Sequence, residues 1–231
     1  MRAMPLPGRK ESPPEPPANP DDWRPQGFGH GGPIRESIIE PSWDGVRVLA
    51  RIGRGTTLLT DEEGVDCTAE FGEVAAAISA AATATELIVD GFLTVQPTQI
   101  VVGIVPPEVE APTAGRTMAQ MIAGDRVLRP AASSRRLDPD RPIAFVAVDL
   151  LLIDGTPLLD IPLLERKRLL DGSLQQAELV RVTPFVRPPA ASFITTWRDF
   201  GFSELAYKGA NGRYMPGGRG NDWSRVRMPQ R

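Results

Sequence analysis

One long apolar stretch, "PIAFVAVDLLLIDG" at residues 142–155, constrains the fold of this chain more than any other feature. A continuous apolar run that is rich in Val, Ile and Phe and bounded by Pro and Gly is typical of a buried strand. The sequence therefore predicts a long buried strand, and the shorter strands and helices must be arranged around it.

Shorter strand and helix patterns lie on both sides of this stretch. The alternating segments "VRVLARIG" (46–53) and "TTLLT" (56–60) are separated by Arg-Gly, which predicts a β-hairpin. Because hairpins occur without a regular βαβ alternation, we predict an α+β fold rich in antiparallel sheet. The other predicted elements are strands at 86–95, 99–105, 179–186, 204–208 and 222–228, and helices at 68–82 (with Thr68 as N-cap), 116–124, 162–172 and 190–200.

Two segments differ in composition from this pattern. Residues 1–33 are rich in Pro, Gly and charge, and we expect them to form a disordered or extended arm. Residues 106–141 combine several prolines with many arginines, which predicts a loop-rich insertion. Residues 34–231, including this insertion, are interpreted as one domain.

The composition limits the chemistry that the chain can perform. The formal net charge is −3, so no overall positive field points to nucleic acid. A single cysteine, Cys67, excludes an internal disulfide, and a single histidine, His30, leaves few options for histidine catalysis. The lysines are Lys10, Lys167 and Lys208, so few side-chain amines could act as a nucleophile. With no membrane-length apolar run and no signal-like N-terminus, we expect a cytoplasmic protein without membrane contact.

Five motifs follow one another along the chain: "EPSWDGVR", "LIVDGF", "AFVAVDLLLIDG", "PLLERKRLL" and "YKGANGRYMPGGRGNDWSRVR". In this order they resemble the adenylation domain of ATP-dependent DNA ligases, a nucleotidyltransferase fold that is ATP-grasp-like, and the resemblance extends over about residues 36–230. In that family a lysine attacks the α-phosphate of ATP, and AMP then passes to a 5′-phosphate at a DNA nick. This chemistry uses an amine nucleophile, an adenine site, divalent metal and cationic groups facing the phosphates.

The first of these motifs is largely retained. Glu40, Asp44, Gly45 and Arg47 match the family pattern. The resemblance implies that Glu40 helps to recognise adenine and that Arg47 lies near the ribose of the nucleotide.

The positive charge at the family's cationic positions near the C-terminus is also retained. Lys208 matches the lysine of a later motif, which the resemblance assigns to phosphate binding. Arg225 and Arg227 replace the two lysines of the family's Lys-x-Lys pattern. The resemblance therefore implies nucleotide-binding roles for Lys208, Arg225 and Arg227.

Four positions depart from the family pattern. Ser42 occupies the position of the nucleophilic lysine, and Phe92 and Ser203 replace carboxylates that are associated with the metal. Val148 stands where the family has an aromatic residue that stacks on adenine. Phe145 cannot substitute for it, because side chains alternate along a strand and Phe145 is expected on the opposite face.

These departures affect separate parts of one reaction, so we expect a domain that has lost catalysis. The loss of two carboxylates argues against Mg²⁺ binding. ATP, AMP or the phosphates of DNA remain candidate ligands without turnover, in the context of DNA repair or recombination. The residues expected to form a basic groove for them are Arg47, Lys208, Arg213, Arg219, Arg225 and Arg227.

Two alternatives stay open. The first is residual DNA ligase or nucleotidyltransferase activity with an unusual nucleophile or a partner subunit. The second is an interaction scaffold without nucleotide binding, which uses residues 1–33 and 106–141. Because few residues follow Arg227, we expect no OB-fold of the kind found in complete ligases, and we expect a protein partner to supply that function.

Overall fold

The computed structural model describes residues 17–29, 34–95 and 142–228. Its separate helices and mainly antiparallel strands confirm the predicted α+β class. The elements, which follow a short 3₁₀ helix at Pro20–Asp22, are β1 (Ser37–Pro41), β2 (Val46–Gly53), β3 (Thr56–Asp61), α1 (Gly72–Ala81), β4 (Glu86–Thr94), β5 (Ala144–Ile153), β6 (Thr156–Pro157), α2 (Leu163–Ser173), β7 (Val180–Val182), α3 (Ala191–Asp199), β8 (Glu204–Gly209) and β9 (Trp223–Arg227).

The strands form two sheets. The larger sheet has the order β3-β2-β4-β5-β6, and β7 lies parallel to β5. The smaller sheet has the order β1-β8-β9 and is antiparallel throughout. Arg54 and Gly55 join β2 to β3 with φ angles of 53° and 78°, as a two-residue hairpin turn with two positive φ angles requires. The predicted hairpin is therefore confirmed.

Strand β5 is buried on both faces, as predicted from its apolar sequence. On one face, Phe145 packs in a cluster with Ile78 of α1. On the other face, Val148 packs in a second cluster with Trp43 and with Trp197 of α3. Phe145 and Val148 thus belong to different clusters, which confirms that Phe145 cannot replace an aromatic residue at position 148.

The first helix begins later than predicted. α1 starts at Gly72, and Phe71 at the N-cap position provides no side-chain hydrogen bond. The Thr68 hydroxyl instead accepts a hydrogen bond from the Leu59 amide at 2.8 Å. Thr68 is therefore not a helix cap, because its oxygen ties the segment before the helix to β3.

Other differences concern the extent of elements. Of the predicted strand at 179–186, only Val180–Val182 forms β7. The predicted strand at 99–105, the helix near 116–124 and the insertion at 106–141 lie outside the described residues. Among the helices in the described ranges, none is long and apolar enough to cross a membrane.

The prediction for residues 1–33 was a disordered or extended arm, and residues 17–29 are not disordered, because they pack against the domain. Trp23 is only 2% exposed and lies in a cluster with Leu49, Ile88 and Trp223. The Gln26 amide donates a hydrogen bond to the Tyr214 hydroxyl at 2.9 Å. The burial of Trp23 and the long-range hydrogen bonds order this segment, although its Pro-rich composition is typical of disordered chains. The rest of the predicted arm, residues 1–16 and 30–33, lies outside the described residues.

Candidate functional site

Several of the predicted site residues meet in one cavity between the two sheets. Ser42 follows β1, Phe92 lies on β4, Val148 on β5 and Lys208 on β8. All four line the same cavity. The complete lining is Phe28, Glu40, Pro41, Ser42, Trp43, Phe92, Val148, Ala206 and Lys208.

This cavity is nearly full. Its free volume is about 10 Å³, which is roughly the room that a single water molecule needs. Aromatic rings take up the space: Trp43 packs edge to face against Phe202 with 4.9 Å between ring centroids, and Phe28 and Phe92 complete the wall. As folded, the cavity has no room for a purine ring.

Glu40 is buried and neutralised by two lysines. Its Oε2 lies 2.8 Å from the Lys208 Nζ, and its Oε1 forms an ion pair with Lys167 of α2. Burial lowers the pKa of Lys167, the charge of Glu40 opposes this, and Lys208 adds to the lowering. Both carboxylate oxygens of Glu40 are therefore engaged with ammonium groups rather than directed to a ligand.

Arg47 is held by a buried network. Its Nε and Nη2 donate to the two carboxylate oxygens of Asp90 at 3.0 and 2.6 Å. Its Nη1 donates to the Gln26 carbonyl at 2.6 Å, and the Tyr214 hydroxyl donates to Asp90 at 2.7 Å. Burial by itself would lower the pKa of Arg47. The negative charge of Asp90 and its hydrogen bonds with the guanidinium have a larger, opposite effect, so the net pKa of Arg47 is raised.

The same network shifts the pKa of the Tyr214 phenol. Burial and the neighbouring charge of Asp90 raise the pKa of Tyr214 well above its usual value. Tyr214 thus stays protonated and donates to Asp90, while its oxygen accepts from the Gln26 amide. The network therefore fixes Arg47 toward Asp90 and the N-terminal segment.

A second buried ion pair joins α2 to β5. Arg166 of α2 donates from Nε and Nη2 to the Asp149 carboxylate, each at 2.8 Å, and both side chains are fully buried. Sequence analysis missed Arg166 and Lys167 as interior residues. The spacing of the buried residues Leu163, Arg166, Lys167 and Leu170 is the signal that could have found them, because such positions share one helix face.

Comparison with known proteins identifies the family. Residues 33–227 match the family model described as the ATP dependent DNA ligase domain. The chain belongs to this DNA ligase domain family. The resemblance that the motifs indicated is thereby confirmed.

Individual relatives agree with this membership. A probable DNA ligase of Koribacter versatilis (strain Ellin345) is 28% identical over 153 residues, which cover 65% of this chain and 23% of that protein. The crystal structure of the ligase domain from M. tuberculosis LigD superposes with a TM-score of 0.62 at 22% identity, over 90% of this chain and 60% of that one. A mycobacterial DNA ligase D complexed with ATP and MES superposes with a TM-score of 0.63 at 24% identity, over 90% of this chain and 61% of that one.

The structural similarity confirms the predicted ligase-type adenylation fold. The chain spans less than a quarter of the length of the curated relative and about three fifths of the two structures. The similarity therefore shows the fold of this chain and does not carry over the activity of those longer chains.

The backbone conformation at position 45 of the ligase domain requires a glycine. Its φ angle is 133°, and a Cβ at this position would lie 2.0 Å from the Leu93 carbonyl oxygen. L-residues with side chains rarely adopt this conformation. Gly45 thus lets the turn after Trp43 pass close to the end of β4, whatever ligand the cavity holds.

The prediction of a basic groove is wrong for Arg47 and Lys208. Both side chains are buried, and their charges are neutralised by Asp90 and Glu40, respectively. Arg213, Arg225 and Arg227 remain nearer the surface. Arg225 and Arg227 lie 3.7 and 3.9 Å from the two carboxylate oxygens of Glu204. Arg213 pairs with Asp160 at 3.0 Å, with both side chains exposed. Arg213 is thus paired with an acid of its own, whereas Arg225 and Arg227 share Glu204.

Asp44 is a second acidic residue close to Arg225, in addition to Glu204. Burial raises the pKa of Asp44, the Arg225 guanidinium opposes this, and Glu204 adds to the raising. Burial in turn lowers the pKa of Arg225, and Glu204 opposes the lowering. Asp44 and Arg225 therefore belong to one partly buried charge cluster beside the cavity.

The positions that the motif resemblance assigns to the metal and to the nucleophile are Phe92, Ser203 and Ser42. Ser203 lies before β8, and its carbonyl accepts a hydrogen bond from the Met228 amide at 2.8 Å. Within the described ranges, no three His, Cys, Asp or Glu side chains group so that they could hold a metal ion. Burial raises the pKa of the Cys67 thiol to about 11, so Cys67 is a thiol at neutral pH.

Proposed function

We propose that this ligase domain does not adenylate itself and serves a non-catalytic role. The observation that carries the proposal is Ser42, which stands at the nucleophilic position and lines a cavity of about 10 Å³. A serine hydroxyl needs a general base to act as a nucleophile. The carboxylate that shares the cavity, Glu40, is already paired with Lys167 and Lys208.

The amines near the cavity do not offer an evident replacement. Lys208 lines the cavity, but its Nζ is ion-paired with Glu40 and lies 4.1 Å from the centre of the Trp223 ring. The Lys208 side chain is thus directed at Glu40 and the Trp223 ring rather than at a ligand. Lys167 is buried on the other side of Glu40. The phenyl ring of Phe92 also gives no ligand for Mg²⁺, which prefers oxygen ligands.

The proposal predicts that the protein stays unlabelled when it is incubated with α-labelled ATP and Mg²⁺. The reason is the absent amine at position 42 together with the closed cavity. An active ATP-dependent DNA ligase, incubated in parallel, is the positive control, and labelled protein is measured after denaturing electrophoresis. Ser42→Lys alone is expected to stay unlabelled as well, because ATP still has no room. A stable AMP adduct on the wild-type protein would contradict the proposal and favour a residual enzyme.

The non-catalytic role that we propose is binding to nucleic-acid phosphate in DNA repair or recombination. The specific observation in its favour is the exposure of two guanidinium groups, Arg213 at 72% and Arg227 at 91%. Exposed ion pairs contribute little stability in water. Asp160 and Glu204 can therefore give way to phosphate as the partner of these arginines.

This role predicts weak, salt-sensitive binding to nicked duplex DNA. Arg213→Gln combined with Arg227→Gln is expected to weaken binding and to lower the slope of log K against log salt by about 2. Arg168→Gln is the matched control, since Arg168 is also an exposed, ion-paired arginine. Fluorescence anisotropy across a salt series measures both quantities. If the wild-type protein does not bind DNA at low salt, the interaction scaffold is the better description.

A further inference from the structure

We propose that residues 26–29 are an intramolecular plug of the cavity, in which Phe28 takes the place of a planar aromatic ligand. The plug closes a slot that would otherwise accept a purine base. This inference deepens the proposed function and rests on it, because it explains how the cavity of a non-catalytic ligase domain is closed.

The backbone on both sides of Phe28 is fixed to the C-terminal part of the domain. The Gly27 amide donates to the Gly218 carbonyl, and the Gly29 amide donates to the Trp223 carbonyl, each at 2.8 Å. A Cβ on Gly29 would lie 2.6 Å from the Gly220 carbonyl oxygen. The sequence Gly-Phe-Gly therefore allows an approach that bulkier residues would prevent, and it holds the phenyl ring at one place.

The ring of Phe28 lies among groups that suit a π system. The guanidinium carbon of Arg225 lies 4.4 Å from its centroid, and that of Arg47 lies 5.6 Å away. The centroid of the Trp223 ring is 5.7 Å distant. Cations over an aromatic face and a neighbouring indole both attract a flat ring. Two guanidinium groups and one indole thus form a slot that Phe28 occupies from within the chain.

The slot opens onto the cavity that contains Ser42. Phe28 lines that cavity together with Phe92, Val148 and Lys208. Removal of the phenyl ring would join the slot to the existing space. Arg225, whose side chain is 38% exposed beside the slot, adds attraction for a phosphate group, so the ligand class is a nucleotide and AMP is a suitable probe.

The ring can be removed while the segment stays docked. Trp23 anchors the segment in the interior, and the Gln26 side chain accepts a hydrogen bond from the Met215 amide at 2.7 Å. Neither contact involves the Phe28 ring. Phe28→Ala therefore tests the plug rather than the attachment of the whole segment.

The experiment titrates AMP into the 231-residue chain and follows binding by calorimetry. We expect Phe28→Ala to bind AMP at least tenfold more tightly than the wild-type protein. Phe193→Ala is the matched control, because Phe193 is also half-buried and lies against a tryptophan, Trp197, with centroids 6.2 Å apart and a 48° tilt. The corresponding tilt of Phe28 against Trp223 is 49°. Phe193→Ala is expected to bind no better than the wild type.

A second variant separates the effect of the flat ring from the effect of misfolding. Phe28→Leu keeps apolar bulk without a flat ring, and its gain in affinity is expected to lie between the wild type and Phe28→Ala. Thermal melts establish that each variant is folded. If folded Phe28→Ala and Phe28→Leu bind AMP no better than the wild type, the plug is overturned while the proposed inactivity stands. Covalent labelling of the wild-type protein by ATP would instead overturn the proposed function.

Discussion

Replacing Asp90 with alanine is expected to lower the free energy of unfolding by about 3–5 kcal/mol, as the loss of one partner of a buried ion pair does. Asp90 is fully buried and accepts hydrogen bonds from Arg47 and from the Tyr214 hydroxyl. Without it, the Arg47 guanidinium stays in the interior with an unbalanced charge. Urea unfolding followed by tryptophan fluorescence measures the change.

Two controls separate the charge from other effects. Arg47→Met combined with Asp90→Leu removes both charges and is expected to recover much of the lost stability, because a buried ion pair can be replaced by apolar groups at little cost. Asp160→Ala breaks the exposed pair with Arg213 and is expected to leave the midpoint unchanged. A loss of less than about 1 kcal/mol for Asp90→Ala would mean that water or another group neutralises Arg47.

The second large effect concerns the N-terminal segment. Trp23→Ala is expected to cost about 3–5 kcal/mol, the usual range for a large aromatic residue removed from a core. Trp23 is 2% exposed and packs with Leu49 and Trp223. Denaturant unfolding is again the measurement. Phe185→Ala, at a ring that is 39% exposed, is the control and is expected to cost less. If Trp23→Ala unfolds at the wild-type midpoint, the segment contributes little to the fold.

Local patterns predicted most strands well, but β1 (Ser37–Pro41) was not predicted as a strand. The alternation in 46–53 and 56–60 and the apolar run at 142–155 place strands within two residues of their observed bounds, because strand periodicity directly reflects which faces are buried. The docked segment at 17–29 was not foreseen. Its composition resembles that of disordered chains, and its order comes from contacts made by Trp23 and Gln26 with residues far away in sequence.

The candidate site was only partly predictable. Motif order located Glu40, Ser42, Phe92, Val148 and Lys208, and all of these line one cavity. The state of that cavity was not predictable, because it depends on how rings from separate segments pack against one another. The pairing of Glu40 with Lys167 likewise depends on which face α2 presents to the sheets, and this follows from the position of the helix in three dimensions.

The hydrogen bonds of Gln26 also bear on the order of folding events. They join residues 188 and 189 positions apart, at Tyr214 and Met215. Contacts at such sequence separation form late, since closing a long loop costs entropy before any contact compensates it. During synthesis, Gln26 leaves the ribosome long before Tyr214 exists. The sheets can begin to pair while Trp23 is still uncovered, and final consolidation follows only after translation has passed residue 223.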